Sequence, residues 1–177
     1  MAAERKNTRE KDTRQFLSVV ESHKGILYKI ANAYCKDAED RQDLIQEILL
    51  QLWKCFDSYN SQYKYSTWIY RIALNVAISV YRKEHRRKDI SNPITDHILL
   101  LADTGYYNEV DMKIILLQQF IAELKELDKA LMLLYLEQKS HKEMAEILDL
   151  SETNIATKIG RIKERLKQKF THIQNQF

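Results

Sequence analysis

Apolar residues recur at steps of mostly three and four from Phe16 through Val20, Leu27, Ile30 and Ala31 to Tyr34. That spacing keeps one side of a helix apolar and predicts a helix over 13–35. The pattern returns over 39–56 with Ile45, Ile48, Leu49, Leu52, Trp53 and Phe56. The segment DSYNSQYKYS (57–66) is polar and rich in tyrosine, and it reads as a loop. A third helix follows from about Thr67 to Lys88, apolar at Ile69, Ile72, Ala73, Val76 and Val80, with Ser66 as its candidate N-cap.

Periodicity is lost over 89–111, which holds Pro93 and Gly105 and reads as a flexible linker between two units, 13–88 and 112–170. Its Ile98–Leu101 run is too apolar for a free coil, so part of it is expected to dock. Helical spacing resumes over 112–136 through Leu116, Phe120, Leu124, Leu127, Leu131, Leu134 and Tyr135, with a break expected near Leu127-Asp128. Ser140-His-Lys-Glu143 is a capping box that opens a short helix, KEMAEILD. Asp149-Leu150-Ser151 makes a tight turn. Ser151 then caps a second helix through Ile155, Ile159, Ile162 and Leu166.

Composition narrows the fold class. With three glycines and one proline in 177 residues, the chain lacks the turn residues that sheets consume. The expected fold is all-α, two small helical domains joined by the linker. A 45% hydrophobic content is enough for a packed core. No apolar run reaches the roughly 20 residues of a membrane span, and the charged start MAAERKNTREKDTRQ is no signal peptide. A soluble, cytoplasmic protein without stable membrane insertion is expected. Cys35 and Cys55 lie far apart and read as small reduced hydrophobes. The five histidines are scattered, with no metal-ligand or triad spacing, and there is no phosphate-binding glycine loop. The chain is therefore expected to have no metal, no cofactor and no enzymatic activity.

Net charge is only +3, but its distribution is uneven. Arg82, Lys83, Arg86, Arg87 and Lys88 crowd one stretch, and a second basic stretch runs from Lys158 through Arg161, Lys163 and Arg165 to Lys169. Between 37 and 47 the balance reverses, with Asp37, Glu39, Asp40, Asp43 and Glu47 against Arg41. Such patches suggest at least two kinds of partner.

Three candidate surfaces result. The paired caps, Met144-Ala145, and apolar Leu148, Leu150 and Ile155 have helix–turn–helix spacing. Asp149 takes the turn position that needs a left-handed conformation. Ser151, Glu152, Thr153, Asn154, Thr157, Lys158 and Arg161 would then face base edges and phosphates in a groove, with Lys163 and Arg165 further along the backbone. A plain helical hairpin is the alternative. On the third helix, Arg71, Asn75, Ser79, Arg82 and Arg86 form a polar stripe behind a loop with Tyr59, Tyr63, Lys64 and Tyr65, a combination suited to unstacked single-stranded nucleic acid. The alternative is a solvated face with core tyrosines. Asp43, Gln46 and Glu47, with Leu50, share one side of the second helix, which taken alone is an ordinary solvated face.

In this order the three surfaces resemble the extracytoplasmic-function (ECF) group of the sigma-70 family. DLIQEILLQLWK (43–54) looks like region 2.2, YSTWIYRIALNVAISVYRKEHRR (65–87) like regions 2.3 and 2.4, and 121–168, around HKEMAEILDLSETNIATKIGRIKERL, like region 4. The resemblance implies an RNA polymerase sigma factor whose partners are core RNA polymerase (β′ clamp helices and β flap), promoter DNA and an anti-sigma factor. It implies that Asp43, Gln46 and Glu47 bind polymerase. Tyr63, Lys64, Tyr65, Arg71, Asn75, Ser79, Arg82 and Arg86 would bind the melted −10 element, and 151–161 would read the −35 element. Three positions depart from the family's habit: there is no proline near Leu127-Asp128, Asp149 stands where glycine is usual, and Ala156 where a basic residue is frequent. A conventional helix–turn–helix repressor is the rival reading, but it has no use for the acidic face followed by the tyrosine loop.

Overall fold

The computed structural model describes residues 2–88 and 109–174. All regular structure among them is helical: α1 (Ala2–Tyr34), α2 (Ala38–Cys55), a 3-10 turn (Phe56–Ser58), α3 (Tyr65–Lys88), α4 (Glu109–Ala122), α5 (Glu126–Leu136), α6 (His141–Leu148) and α7 (Glu152–Gln174).

The first three helices form one bundle. The predicted stripes supply its core: Leu27, Ile30, Ile48, Leu52 and Ile69 are each almost wholly buried. Aromatic edges tie the elements together. Phe16 of α1 meets Trp53 at 4.9 Å and Phe56 at 5.3 Å, both edge-on. Two boundaries differ from the sequence expectation. Helix α1 starts at Ala2 rather than near 13. Helix α3 starts at Tyr65, so Ser66 lies inside the helix and is not its N-cap. The reason is visible at Lys64, whose carbonyl already accepts the Trp68 N–H at 3.1 Å.

The second unit runs from α4 to α7. Its first break lies at 123–125, just before the expected Leu127-Asp128, with Lys125 in extended geometry ahead of α5. Glu126 and Asp128 then fall in the first turn of α5, where carboxylates favour the positive end of the helix dipole. Helix α5 ends in a left-handed residue, Gln138 (φ 56°). The Lys139 N–H reaches back to the Leu134 carbonyl at 3.1 Å and the Gln138 N–H to the Tyr135 carbonyl at 3.0 Å, the double closure of a Schellman turn.

The helix–turn–helix is built as its sequence predicts. The Glu143 N–H donates to Ser140 Oγ (3.2 Å), and the Ser140 N–H donates to Glu143 Oε2 (2.9 Å). Asp149 adopts φ 56°, ψ 47°. The Asn154 N–H donates to Ser151 Oγ at 3.3 Å, so Ser151 caps α7. Met144, Ile147, Ile155 and Ile162 close the small core. Ser140→Ala removes one arm of the reciprocal cap and should cost about 1 kcal/mol, lowering the melting temperature by about 3 °C. A thermal melt followed by circular dichroism checks this; an unchanged midpoint would mean water replaces the cap at no cost.

The proposed linker, with Pro93, Gly105 and the Ile98–Leu101 run, lies outside the described residues save for 109–111, which already belong to α4. The two units nevertheless touch directly. Helix α3 carries a second strip beside its bundle face: Tyr70, Leu74 and Ala77 are buried and Tyr81 is half-buried, at steps of four, three and four. Tyr70 Oη donates to Glu137 Oε2 of α5's C-terminal end at 3.3 Å. Lys29 of α1 pairs with the same carboxylate at 2.6 Å. At the other end of α5, Tyr34 Oη donates to the Glu126 carbonyl (2.6 Å) and Arg82 Nε donates to Glu126 Oε1 (2.8 Å).

Candidate functional site

The first candidate surface is the start of α7. Ser151, Glu152, Thr153, Asn154, Thr157 and Arg161 are exposed and Lys158 is half-buried. Ile155, Ile159 and Ile162, on the opposite side, are buried, so burial of one stripe presents the other to solvent. Two polar groups are partly committed: Ser151 to its cap, and Thr157, whose Oγ1 donates to the Thr153 carbonyl at 2.9 Å. The cations further along α7 do a different job. Lys163 lies 4.8 Å over the Tyr135 ring and donates to its hydroxyl at 3.1 Å. Arg165 pairs with Asp128 at 2.6 Å, and Lys169 pairs with Glu123 while covering the Phe120 ring. Lys163 and Arg165, expected along the DNA backbone, are thus engaged in holding α7 to α5.

The second surface is the outer side of α3 and the loop before it. Arg71, Asn75 and Ser79 are exposed in one row at steps of four. Arg82 is exposed too, but its guanidinium is bound to Glu126. Arg86 is on α3, with its side chain outside the described residues. The loop is ordered by its own contacts. Tyr59 stacks on Tyr65 at 4.3 Å and 16°, and donates through its hydroxyl to the Tyr63 carbonyl at 2.5 Å. Asn60 Oδ1 accepts the Gln62 N–H at 3.0 Å. Gln15 donates to the Tyr65 hydroxyl at 3.2 Å. Of the three loop tyrosines, Tyr59 and Tyr65 spend ring faces on each other, whereas Tyr63 is 39% exposed and Lys64 stands beside it. Tyr63 is therefore the most exposed of the three rings.

The third surface is on α2. Asp43 and Gln46 are exposed, and half-buried Glu47 accepts a hydrogen bond from Gln51 at 2.9 Å. Leu50 and Trp53 continue the row and are 46% and 44% exposed. Two carboxylates beside two exposed large apolar side chains suit a protein partner more than water. The sequence pattern assigned Trp53 to the core; its step of three from exposed Leu50 is the signal that it belongs to this row.

Among the described residues no group of three His, Cys, Asp or Glu side chains could hold a metal. No described helix is long and apolar enough to cross a membrane. One charged group is buried between the units: Lys129 is 3% exposed, with its ammonium 5.3 Å from the Tyr34 ring centre and 4.9 Å from that of Tyr81. Burial pushes its pKa down. Nearby, the hydrogen bond from Arg82 holds the Glu126 carboxyl below the usual range.

Comparison with known proteins gives the family. Residues 19–87 match the model for Sigma-70 region 2 and residues 114–166 that for Sigma-70, region 4. The chain is 28% identical over 142 residues to the ECF RNA polymerase sigma factor SigM of Bacillus subtilis, covering 80% of this chain and 86% of that one. It is 25% identical over 173 residues to SigW of the same organism, covering 92% of each. A solved structure of the sigma factor RpoE with the anti-sigma factor NepR from Bartonella quintana has a similar fold: TM-score 0.61, 18% identity, 88% of this chain and 94% of that one. The chain belongs to the sigma-70 family, as an RNA polymerase sigma factor of the ECF type.

Proposed function

We propose that this sigma factor divides promoter recognition between its two units, 13–88 and 112–170. The acidic–apolar row Asp43, Gln46, Glu47, Leu50 and Trp53 docks on the β′ clamp helices of core polymerase, while the second unit meets the β flap. Tyr63, Lys64, Arg71, Asn75 and Ser79 receive the melted −10 strand, joined by Tyr65, Arg82 and Arg86. The start of α7, from Ser151 to Arg161, reads the −35 element in duplex form. The observation that carries this division is the contrast between the surfaces. An exposed tyrosine beside a polar row offers stacking, which is useful only where strands are open. A capped helix with short polar side chains at its N-terminus fits a major groove and reads base edges there.

The chain acts as a cytoplasmic initiation subunit without enzymatic activity of its own, and promoter opening is driven by binding energy. The RpoE–NepR complex supports an anti-sigma partner for this chain as well.

In vitro transcription with core polymerase, with transcript 5′ ends mapped, tests the reading as a whole. Permanganate footprinting tests the division. On a promoter with a fixed −35 element, Asn75→Ala with Arg71→Ala should reduce opening about fivefold to a hundredfold, the effect of losing about 1–3 kcal/mol of contact with the open strand. The same variants should leave −35 preference unchanged, and Asn154→Ala or Thr157→Ala should do the converse. Opening equal to that of the parent, or a shifted −35 preference, would refute the division. A repressor, by contrast, would bind duplex promoter DNA tightly without polymerase.

A further inference from the structure

We infer that Gln15 of α1 is a positioning residue for −10 recognition, holding the tyrosine loop in the arrangement that presents Tyr63 and Lys64 to the open strand. The inference rests on the −10 reading proposed above.

The loop has little of its own to order it. None of residues 59–64 is buried. A segment without buried apolar anchors opens locally at little cost, and a platform that must be ordered on binding gives up affinity in the process. Here a series of contacts supplies the order in advance. Tyr59 Oη donates to the Tyr63 carbonyl at 2.5 Å, which fixes the backbone that carries the Tyr63 ring. The Tyr59 ring stacks on Tyr65 at 4.3 Å and meets Trp68 edge-on at 5.5 Å. The Tyr65 hydroxyl in turn accepts from Gln15 Nε2 at 3.2 Å.

Helix α1 thus supplies a link from outside the loop and α3. Gln15, Val19 and His23 recur at steps of four and share one side of α1. Val19 is buried. His23, whose Nδ1 donates to the Val19 carbonyl at 2.8 Å, has its ring centre 6.4 Å from that of Tyr65. Gln15 is the member of this row that hydrogen-bonds Tyr65. It is itself exposed, so its side chain adds nothing to the core. The bond is worth little to folding, because an exposed amide can bond water instead. Its loss releases Tyr65, and through the stack Tyr59 and the Tyr63 carbonyl, while the bundle keeps its packing.

The test is a double-mutant cycle. Gln15→Met keeps the reach of the side chain but not its hydrogen bond, and Tyr65→Phe keeps the stack but not the hydroxyl. The full chain is assembled with core polymerase and titrated with a non-template-strand oligonucleotide spanning the −10 element upstream of a mapped transcript start. Each single variant should weaken binding about twofold to tenfold, the range of one net hydrogen bond. The double variant should lose no more than either single one, because both remove the same bond. Affinity for core, affinity for duplex −35 DNA and the thermal midpoint of the Gln15→Met chain should match the parent. Parent-like oligonucleotide binding by Gln15→Met overturns the inference, and so do losses that multiply in the double variant. A Gln15→Met chain that also loses core affinity or melts earlier overturns it too, since Gln15 then supports the bundle rather than the loop. Tyr63→Ala in the same titration separates the two readings. If it weakens binding while Gln15→Met does not, the positioning role alone falls. If it binds as the parent does, the −10 reading of the loop falls, and the positioning role with it.

Discussion

Replacing Asp43 and Glu47 together with lysine will weaken binding to core polymerase by about a hundredfold or more. Reversing two charges in one interface turns favourable contacts into repulsion worth several kcal/mol, and each 1.4 kcal/mol is a factor of ten. The bundle itself should survive. Asp43 is exposed, and half-buried Glu47 accepts its hydrogen bond from Gln51 on the same helix. The α2 core is supplied by Leu44, Ile48 and Leu52 on the other side. Circular dichroism should show native helix content while a direct binding assay shows the loss. Trp53→Ala offers an independent check on the apolar half of the row: removing a half-exposed ring from an interface should cost affinity without a comparable loss of stability. Unchanged affinity of the double-lysine variant would remove α2 from the polymerase interface.

The other large effect is on stability. Ile155 is fully buried at the start of α7, where a helix–turn–helix has little other apolar surface to lean on. Ile155→Ala leaves a cavity there and should cost about 2–5 kcal/mol, a large share of the 5–15 kcal/mol typical of a whole domain. The second unit should unfold at lower denaturant while the α1–α3 bundle keeps its own midpoint, giving a biphasic urea transition. Recognition of the −35 element should fail in the same range. A single transition shifted as a whole would show instead that the two units unfold as one.

Local signals made most of the architecture legible. The three- and four-residue spacings of the α1, α2, α3 and α7 core residues need only the helix period to be read. Ser140 with Glu143, and Ser151, announce their caps because a short side-chain oxygen before a helix has few other uses. Asp149 was legible as a left-handed turn because its neighbours fix where the turn must fall.

What escaped the sequence depends on distant partners. Tyr70, Leu74, Ala77 and Tyr81 keep the same helical period as Ile69, Ala73, Val76 and Val80, so the two strips merge into one broad apolar side. Nothing in either strip says that a separate unit covers the second. Glu126, Glu137 and Lys29 look like solvated surface charges until α5 is placed against α1 and α3. Gln138 gave no warning of its left-handed backbone, since glutamine is not selected for that conformation. The Tyr59–Tyr65 stack was hidden for a similar reason: two rings six positions apart in a loop have no fixed relation until the loop closes.

The burial of Lys129 sets how firmly the two units adhere. Its ammonium has left water for the faces of two tyrosine rings, which offset part of the lost hydration. A base whose pKa is depressed on packing weakens the packed state at every pH below its ordinary value, and the penalty disappears only when alkali removes the proton. The penalty therefore grows as pH falls below the ordinary lysine value. A methionine there would fill similar space without that cost. By carrying a charge instead, the joint holds less tightly than its apolar neighbours alone would make it.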